Sequence, residues 1–233
     1  MRTEDEQSLE QEAIRFVKEH AKDIQLKFAD PAIFPALDTP VSIFMAGSPG
    51  AGKTEFSKRF IKDSGKPVVR IDPDEVRNLL PQYDHNATLM QRAAALGVEK
   101  LYDHALQHKQ DLILDGTMGD YAKARSNISR SIDHSRIVQI YYIYQDPIVA
   151  WEFTKKREAI ERRGIPKQFF ISSFFQSKEN VNKLKQEFGS HIQVHLIVKN
   201  FENDTEQFKL NIEHIDSHLK IGYTEATLNE LLT

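Results

Sequence analysis

Apolar residues recur at helical spacing over residues 8–28: Leu9, Ala13, Phe16, Val17, Ala21, Ile24 and Phe28, with charges between them. This spacing predicts an amphipathic helix. Pro31, Pro35 and Pro40 then break the chain. Val41–Ala46 is a continuous apolar run bounded by Pro40 and Gly47, the pattern of a strand buried on both faces. A helix is predicted over 53–62, ended by Ser64-Gly65, and a second strand over 67–71. A short helix at 74–80, stopped by Pro81, and a long one at 87–108 precede a third strand at 111–114. A helix at 122–132 and a strand at 137–144 follow. Pro147 opens the next helix, with Asp146 as its N-cap, and that helix runs to about 162. Gly164 and Pro166 interrupt it before a helix at 167–188 and a fifth strand at 192–198. Helical segments at 205–219 and 224–232 close the chain.

Five short strands alternating with helices predict an α/β fold: a parallel five-stranded sheet with helices on both faces, of P-loop kinase type. The expected organisation is an N-terminal helix on the core (1–40), a kinase core with a lid around 155–167 (41–200), and a C-terminal helical extension (201–233). The chain has 233 residues, long enough for such a core. With 31 Lys+Arg against 34 Asp+Glu, its net charge of −3 argues against a general nucleic-acid binder. There is no cysteine, which removes disulfides, thiolate metal sites and Cys nucleophiles together. Glu4, Asp5 and Glu6 make the N-terminus unlike a targeting signal. No apolar run approaches membrane-spanning length. The expectation is a cytoplasmic protein with neither a nucleic-acid nor a membrane partner.

The chemistry is concentrated after the first strand. Gly47-Ser48-Pro49-Gly50-Ala51-Gly52-Lys53-Thr54 matches the phosphate-binding pattern G-x-x-x-x-G-K-[ST]. Small residues let backbone N–H groups converge on phosphate oxygens, and the following helix adds its positive end. Lys53 supplies a cation for the β- and γ-phosphates. Thr54 supplies a hard oxygen for Mg²⁺, and Asp115 a second. No N-K-x-D guanine-reading motif occurs, and the third strand ends in one acidic residue rather than a pair. What remains fits a small-molecule kinase. Such an enzyme needs a carboxylate near the acceptor hydroxyl and cations for transition-state charge. Asp74 in Ile71-Asp72-Pro73-Asp74 is the general-base candidate, with Asp72 as cap and Pro73 at the first helical position. Lys155, Lys156, Arg157, Arg162, Arg163 and Lys167 form the candidate lid.

Together these residues resemble the zeta-toxin family, P-loop kinases of toxin–antitoxin systems, from about Val41 to Lys167. After Gly47–Thr54 come Ile71-Asp72-Pro73-Asp74 and Leu80-Pro81-Gln82-Tyr83-Asp84, where the family has I-D-x-D, a proline and an aromatic. Glu99 matches the family's acidic residue on the helix before the third strand. Asp115-Gly116-Thr117 stands for its E-G-T, and Arg157 and Arg163 for its lid arginines. The resemblance implies phosphorylation of a sugar hydroxyl of UDP-N-acetylglucosamine by ATP and Mg²⁺. It makes Asp74 the base, and Glu99, Thr117 and Asn127 substrate-binding residues. Arg157 and Arg163 then stabilise the migrating phosphoryl group. It also implies an antitoxin protein as partner. Two departures bear on the acceptor. Asp115 is one methylene shorter than the family's Glu, and Gly119 stands where the family often has a basic residue that Lys123 or Arg125 would replace. Two alternatives follow: a kinase of a nucleoside, antibiotic or metabolite, and a nucleotide-binding module without catalysis.

The remaining candidates read as structural. His104/His108 and His214/His218 are helix-surface pairs without a third ligand. His191 and His195 belong with the fifth strand. Tyr141, Tyr142 and Tyr144 lie on a buried strand, and Trp151, Phe169, Phe170, Phe174 and Phe175 pack helices.

Overall fold

Thr3 caps the first helix: its hydroxyl accepts from Glu6 N–H at 3.2 Å, and Glu6 carboxylate accepts from Thr3 N–H at 2.9 Å. The computed structural model describes residues 3–81, 88–161, 164–200 and 205–233. In place of the one predicted helix there are two, α1 (Glu4–Glu19) and α2 (Ala21–Ala29). His20 leaves helical torsions between them, at φ −100°, ψ 20°, and its ring turns to Asp23 at 3.2 Å. The break lets both helices lie on one long helix, α5 (Gln91–Gln107).

The chain divides into two units. The first comprises Met1–Pro40 and Lys66–Leu114. It holds α1, α2, α5, a short helix α4 (Pro73–Arg77) and the parallel pair β2 (Val69–Ile71) and β3 (Leu112–Leu114). Ala13, Val17, Ile24, Val76, Ala94, Val98 and Leu101 are buried there. Gly97 permits the closest approach: a Cβ on it would lie 2.5 Å from Val76 Cγ1.

The second unit comprises Val41–Gly65 and Asp115–Thr233. Its strands are β1 (Val41–Ala46), β4 (Ile137–Tyr144), β5 (Ile192–Lys199) and β6 (Thr205–Lys209), in the order β1-β4-β5-β6. The first three run parallel, with Met45 opposite Tyr141 and Tyr141 opposite His195. The helices are α3 (Lys53–Ser64), α6 (Tyr121–Asp133), α7 (Pro147–Glu161), α8 (Lys167–Phe188) and α9 (Glu225–Leu231). Phe56 and Phe60 of α3 pack on Tyr141, which also meets His195 and Phe208. A separate cluster joins α7, α8 and α9 through Ala150, Trp151, Phe170, Ile171, Phe174, Leu228 and Leu232.

The fold is α/β, its sheet mostly parallel and flanked by helices. Six strands stand among the described residues where five are predicted. The sixth, β6, falls in a stretch whose pattern predicts helix. It runs antiparallel to β5, with Ile197 opposite Phe208. Pairing satisfies the backbone groups along that side of β5, which outweighs weak local propensity. Residues 210–219 hold only a short 3₁₀ turn at Ile215–Ser217.

Candidate active site

Strand β1 runs into the glycine-rich loop, and α3 begins at Lys53. Two glycines there are obligatory. Gly47 has φ +133°, and a Cβ on it would lie 2.3 Å from Ile143 carbonyl oxygen. Gly50 has φ +73°, and its Cβ would lie 2.1 Å from the carbonyl oxygen of Ala150. Side chains rarely adopt these torsions, and here the backbone of β4 and α7 fills the space as well. No side chain caps α3, and the positive end of its dipole lies at the loop. Ser48, Ala51 and Lys53 are buried. Lys53 Nζ lies across the loop, donating to Gly47 carbonyl at 3.0 Å and Ser48 carbonyl at 2.6 Å.

Asp115, just past β3 in sequence, is only 6% exposed. Its Oδ2 accepts from Thr54 hydroxyl at 3.1 Å, and Ser57 hydroxyl, which donates to Thr54 carbonyl at 3.0 Å, lies 3.4 Å from it. A buried carboxylate beside a threonine hydroxyl at a phosphate loop is a hard-oxygen donor set, which suits Mg²⁺. The structure thus brings the two predicted metal ligands together. Sequence reasoning missed Ser57, whose signal is its place one helical turn after Thr54. The loop after Asp115 is joined to the phosphate loop: Gly47 N–H donates to Thr117 carbonyl at 3.3 Å. Thr117 Oγ1 accepts from Gly119 N–H at 3.2 Å, and Met118 between them has φ +55°. Asn127, the remaining substrate candidate of this unit, is buried on α6.

Asp74 and Glu99 belong to the first unit. Asp72 caps α4 as expected, its carboxylate accepting from Asp74 N–H at 2.8 Å with Pro73 at the first helical position. Arg70 holds Asp72 at 2.6 Å and Glu75 at 2.5 Å. Asp74 carboxylate is bound by Arg77 at 2.5 Å, and the other Arg77 nitrogen reaches Gln91 at 3.1 Å. Arg77 is buried and was not singled out from sequence; its signal is the i,i+3 spacing to Asp74. Glu99 is half-buried on α5.

The lid cations have separate places. Arg157 is exposed on α7. Arg163, Arg162 and the stretch Gln82-Tyr83-Asp84 lie outside the described residues. Lys155 donates to Thr233 carbonyl at 3.1 Å, and Lys167 to the carbonyls of Asn229 and Leu232 at 3.0 and 3.1 Å. These two lysines therefore anchor α9. Lys156 lies over the Phe153 ring. Arg125 pairs with Glu187 at 2.6 Å. His104, read as helix surface, is half-buried against Ala29 carbonyl at 3.1 Å, and burial lowers its pKa.

The sequence profile of the zeta toxin family matches residues 26–213. The chain belongs to the zeta-toxin family. No curated protein matches this zeta-toxin sequence. Among solved structures, it is similar to one from the PezAT chromosomal toxin–antitoxin system of Streptococcus pneumoniae. That match has 16% identity and TM-score 0.64, covering 100% of this chain and 89% of the other. It is also similar to AvrRxo1-ORF1:AvrRxo1-ORF2 with sulphate ions, at 13% identity and TM-score 0.64, covering 88% and 70%. A third is AvrRxo1-ORF1:-ORF2 with ATP, at 13% identity and TM-score 0.62, covering 94% and 71%. At these identities the likeness speaks for the fold. No helix among the described residues is long and apolar enough to cross a membrane.

Proposed function

We propose that this zeta-toxin family member is an ATP-dependent phosphotransferase acting on a sugar hydroxyl of UDP-N-acetylglucosamine or a related sugar nucleotide. The observation that carries the reading is the phosphate loop: Lys53 across it and Thr54 hydroxyl 3.1 Å from buried Asp115. Support for ATP is the ATP named with one similar structure. Thr54 and Asp115 would hold Mg²⁺, which neutralises charge on the phosphates when bound. Gly47 to Thr54 cradle the phosphates, and Lys53 offsets charge on the β- and γ-groups.

In the transfer, the acceptor oxygen bonds to the γ-phosphorus as the bond to the β-phosphate oxygen breaks, releasing ADP. Asp74 takes the hydroxyl proton. Arg77 beside it orients the Asp74 carboxylate. Glu99, Thr117 and Asn127 hold the sugar nucleotide, and Arg157 and Arg163 bear on the transferred group. Loss of either arginine is expected to cost roughly 10³–10⁵ in rate if it acts as an arginine finger. An antitoxin partner is part of the reading, supported by the toxin–antitoxin system named with the PezAT structure.

One observation favours a second reading, a less anionic acceptor. Gly119 carries no cation, and of the two residues that would replace it, Lys123 and Arg125, the second is engaged by Glu187. The test is ATP turnover with Mg²⁺, with and without UDP-N-acetylglucosamine, for wild type and Asp74→Ala, with mass spectrometry of the product. Stimulated turnover giving a singly phosphorylated sugar nucleotide, lost in the variant, is expected. Turnover that this sugar does not stimulate would sink the acceptor and direct the search to neutral alcohols.

A further inference from the structure

We infer that Asn180 is a positioning residue for the acceptor, fixing the loop that carries Thr117. The inference rests on the reading above, in which Thr117 contacts the sugar nucleotide.

Asn180 stands on α8, buried. Its Nδ2 donates to the carbonyls of Met118 at 2.8 Å and Gly119 at 3.0 Å. An amide NH₂ has two hydrogens, and both go to consecutive carbonyls of one turn. Two facing carbonyl oxygens also decide the amide orientation, because they would repel its oxygen. Met118 sits at φ +55° inside that turn, a torsion that residues with side chains avoid. The loop therefore needs an outside partner to hold it, and Asn180 is that partner.

The consequence reaches Thr117. Its carbonyl accepts from Gly47, the first residue of the phosphate loop, at 3.3 Å. Its hydroxyl oxygen accepts from Gly119 N–H at 3.2 Å, which leaves the O–H proton to donate to an acceptor oxygen. Asn180 fixes Gly119, Gly119 fixes the Thr117 hydroxyl, and Gly47 ties the same turn to the phosphate loop. A helix remote in sequence thus sets the register between the phosphate-binding and acceptor-binding loops. No sequence motif marks Asn180, because its partners are backbone carbonyls.

The test compares wild type, Asn180→Ala and Asn180→Ala/Met118→Gly with ATP and UDP-N-acetylglucosamine. Asn180→Ala should lower kcat/KM for the sugar nucleotide about 10²-fold, the usual cost of a misplaced positioning group, with the KM for ATP unchanged. Met118→Gly should restore part of the loss, because glycine adopts the positive φ without help. A residue that merely packs α8 would shift both substrates together and would not be rescued at position 118; that result overturns the inference. Amide hydrogen exchange gives a readout independent of the acceptor. Gly119 and Gly47 N–H should exchange faster in Asn180→Ala and regain protection in the double variant. If wild type leaves UDP-N-acetylglucosamine unphosphorylated, the proposed acceptor fails, while the exchange data still decide on Asn180. Unchanged exchange in a folded Asn180→Ala overturns it. Should that variant not fold, Asn180→Ser, too short to reach both carbonyls, serves the same comparison.

Discussion

Asp74 combines two demands that substitution can separate. As the proposed base it must carry a charge, and as the partner of buried Arg77 it must complete an ion pair at 2.5 Å. Asp74→Asn keeps an oxygen for Arg77 but removes the base, so kcat should fall roughly 10²–10⁴-fold with little loss of melting temperature. Asp74→Ala strands a buried guanidinium, so it should lose the same activity and melt lower than the asparagine variant. Equal melting temperatures would show that Arg77 does not depend on Asp74. Gly50 makes a steric case. Its alanine variant would place a Cβ 2.1 Å from Ala150 carbonyl at φ +73°. Gly50→Ala should cost about 1–3 kcal/mol in strain and weaken nucleotide binding, as read by calorimetry. Both residues were legible in sequence, because their motifs are contiguous. Ser57 and Arg77 were not, since a single serine or arginine one helical turn from a motif residue resembles any solvated position.

Among the elements, β6 depends on a histidine. His195 on β5 is buried, and its Nδ1 accepts from Asn211 N–H at 3.2 Å just beyond β6. Burial pushes its imidazole below the usual 6.5. Accepting at Nδ1 requires that nitrogen to be unprotonated. The unfolded chain therefore binds more protons than the folded one between the lowered pKa and 6.5. The contribution of neutral His195 is full above pH 6.5 and is lost as pH falls from there towards the folded value. Acidification from pH 7 to 5 should lower the melting temperature, with faster exchange of β6 amides. His195→Gln, which cannot titrate, should blunt that step; an unchanged pH profile would remove His195 as its source. The strands with continuous apolar runs, β1 and β4, fall where the pattern places them. β6 does not, because Thr205–Lys209 alternates weakly and becomes a strand only by pairing with β5.

For the whole molecule, the phosphate loop gives a stability readout that needs no acceptor. A ligand that binds only the folded state stabilises it by mass action, about 2.7 kcal/mol at a hundredfold excess over Kd. ATP with Mg²⁺ should therefore raise the melting temperature in proportion to the logarithm of its concentration. Lys53→Ala should flatten that response, since its ammonium is the loop's cation. A variant that responds as strongly as wild type would show that Lys53 is not needed for nucleotide binding.

The sequence by itself determined the α/β class, the position of β1, the phosphate loop, the cap of α4 by Asp72 and the family. Each rests on local information: a run of apolar residues, a contiguous glycine-rich motif, or a side chain reaching its own backbone two residues on. Only tertiary structure decided what depends on encounters between segments remote in the chain. It divided the first predicted helix at His20, so that α1 and α2 both lie on α5. It paired β6 with β5, tied Lys155 and Lys167 to α9, and set Asn180 on the loop of Thr117. In each case the partner is a backbone group or a packed face. Such partners leave no signature in residue type, so spacing along the chain does not reveal them.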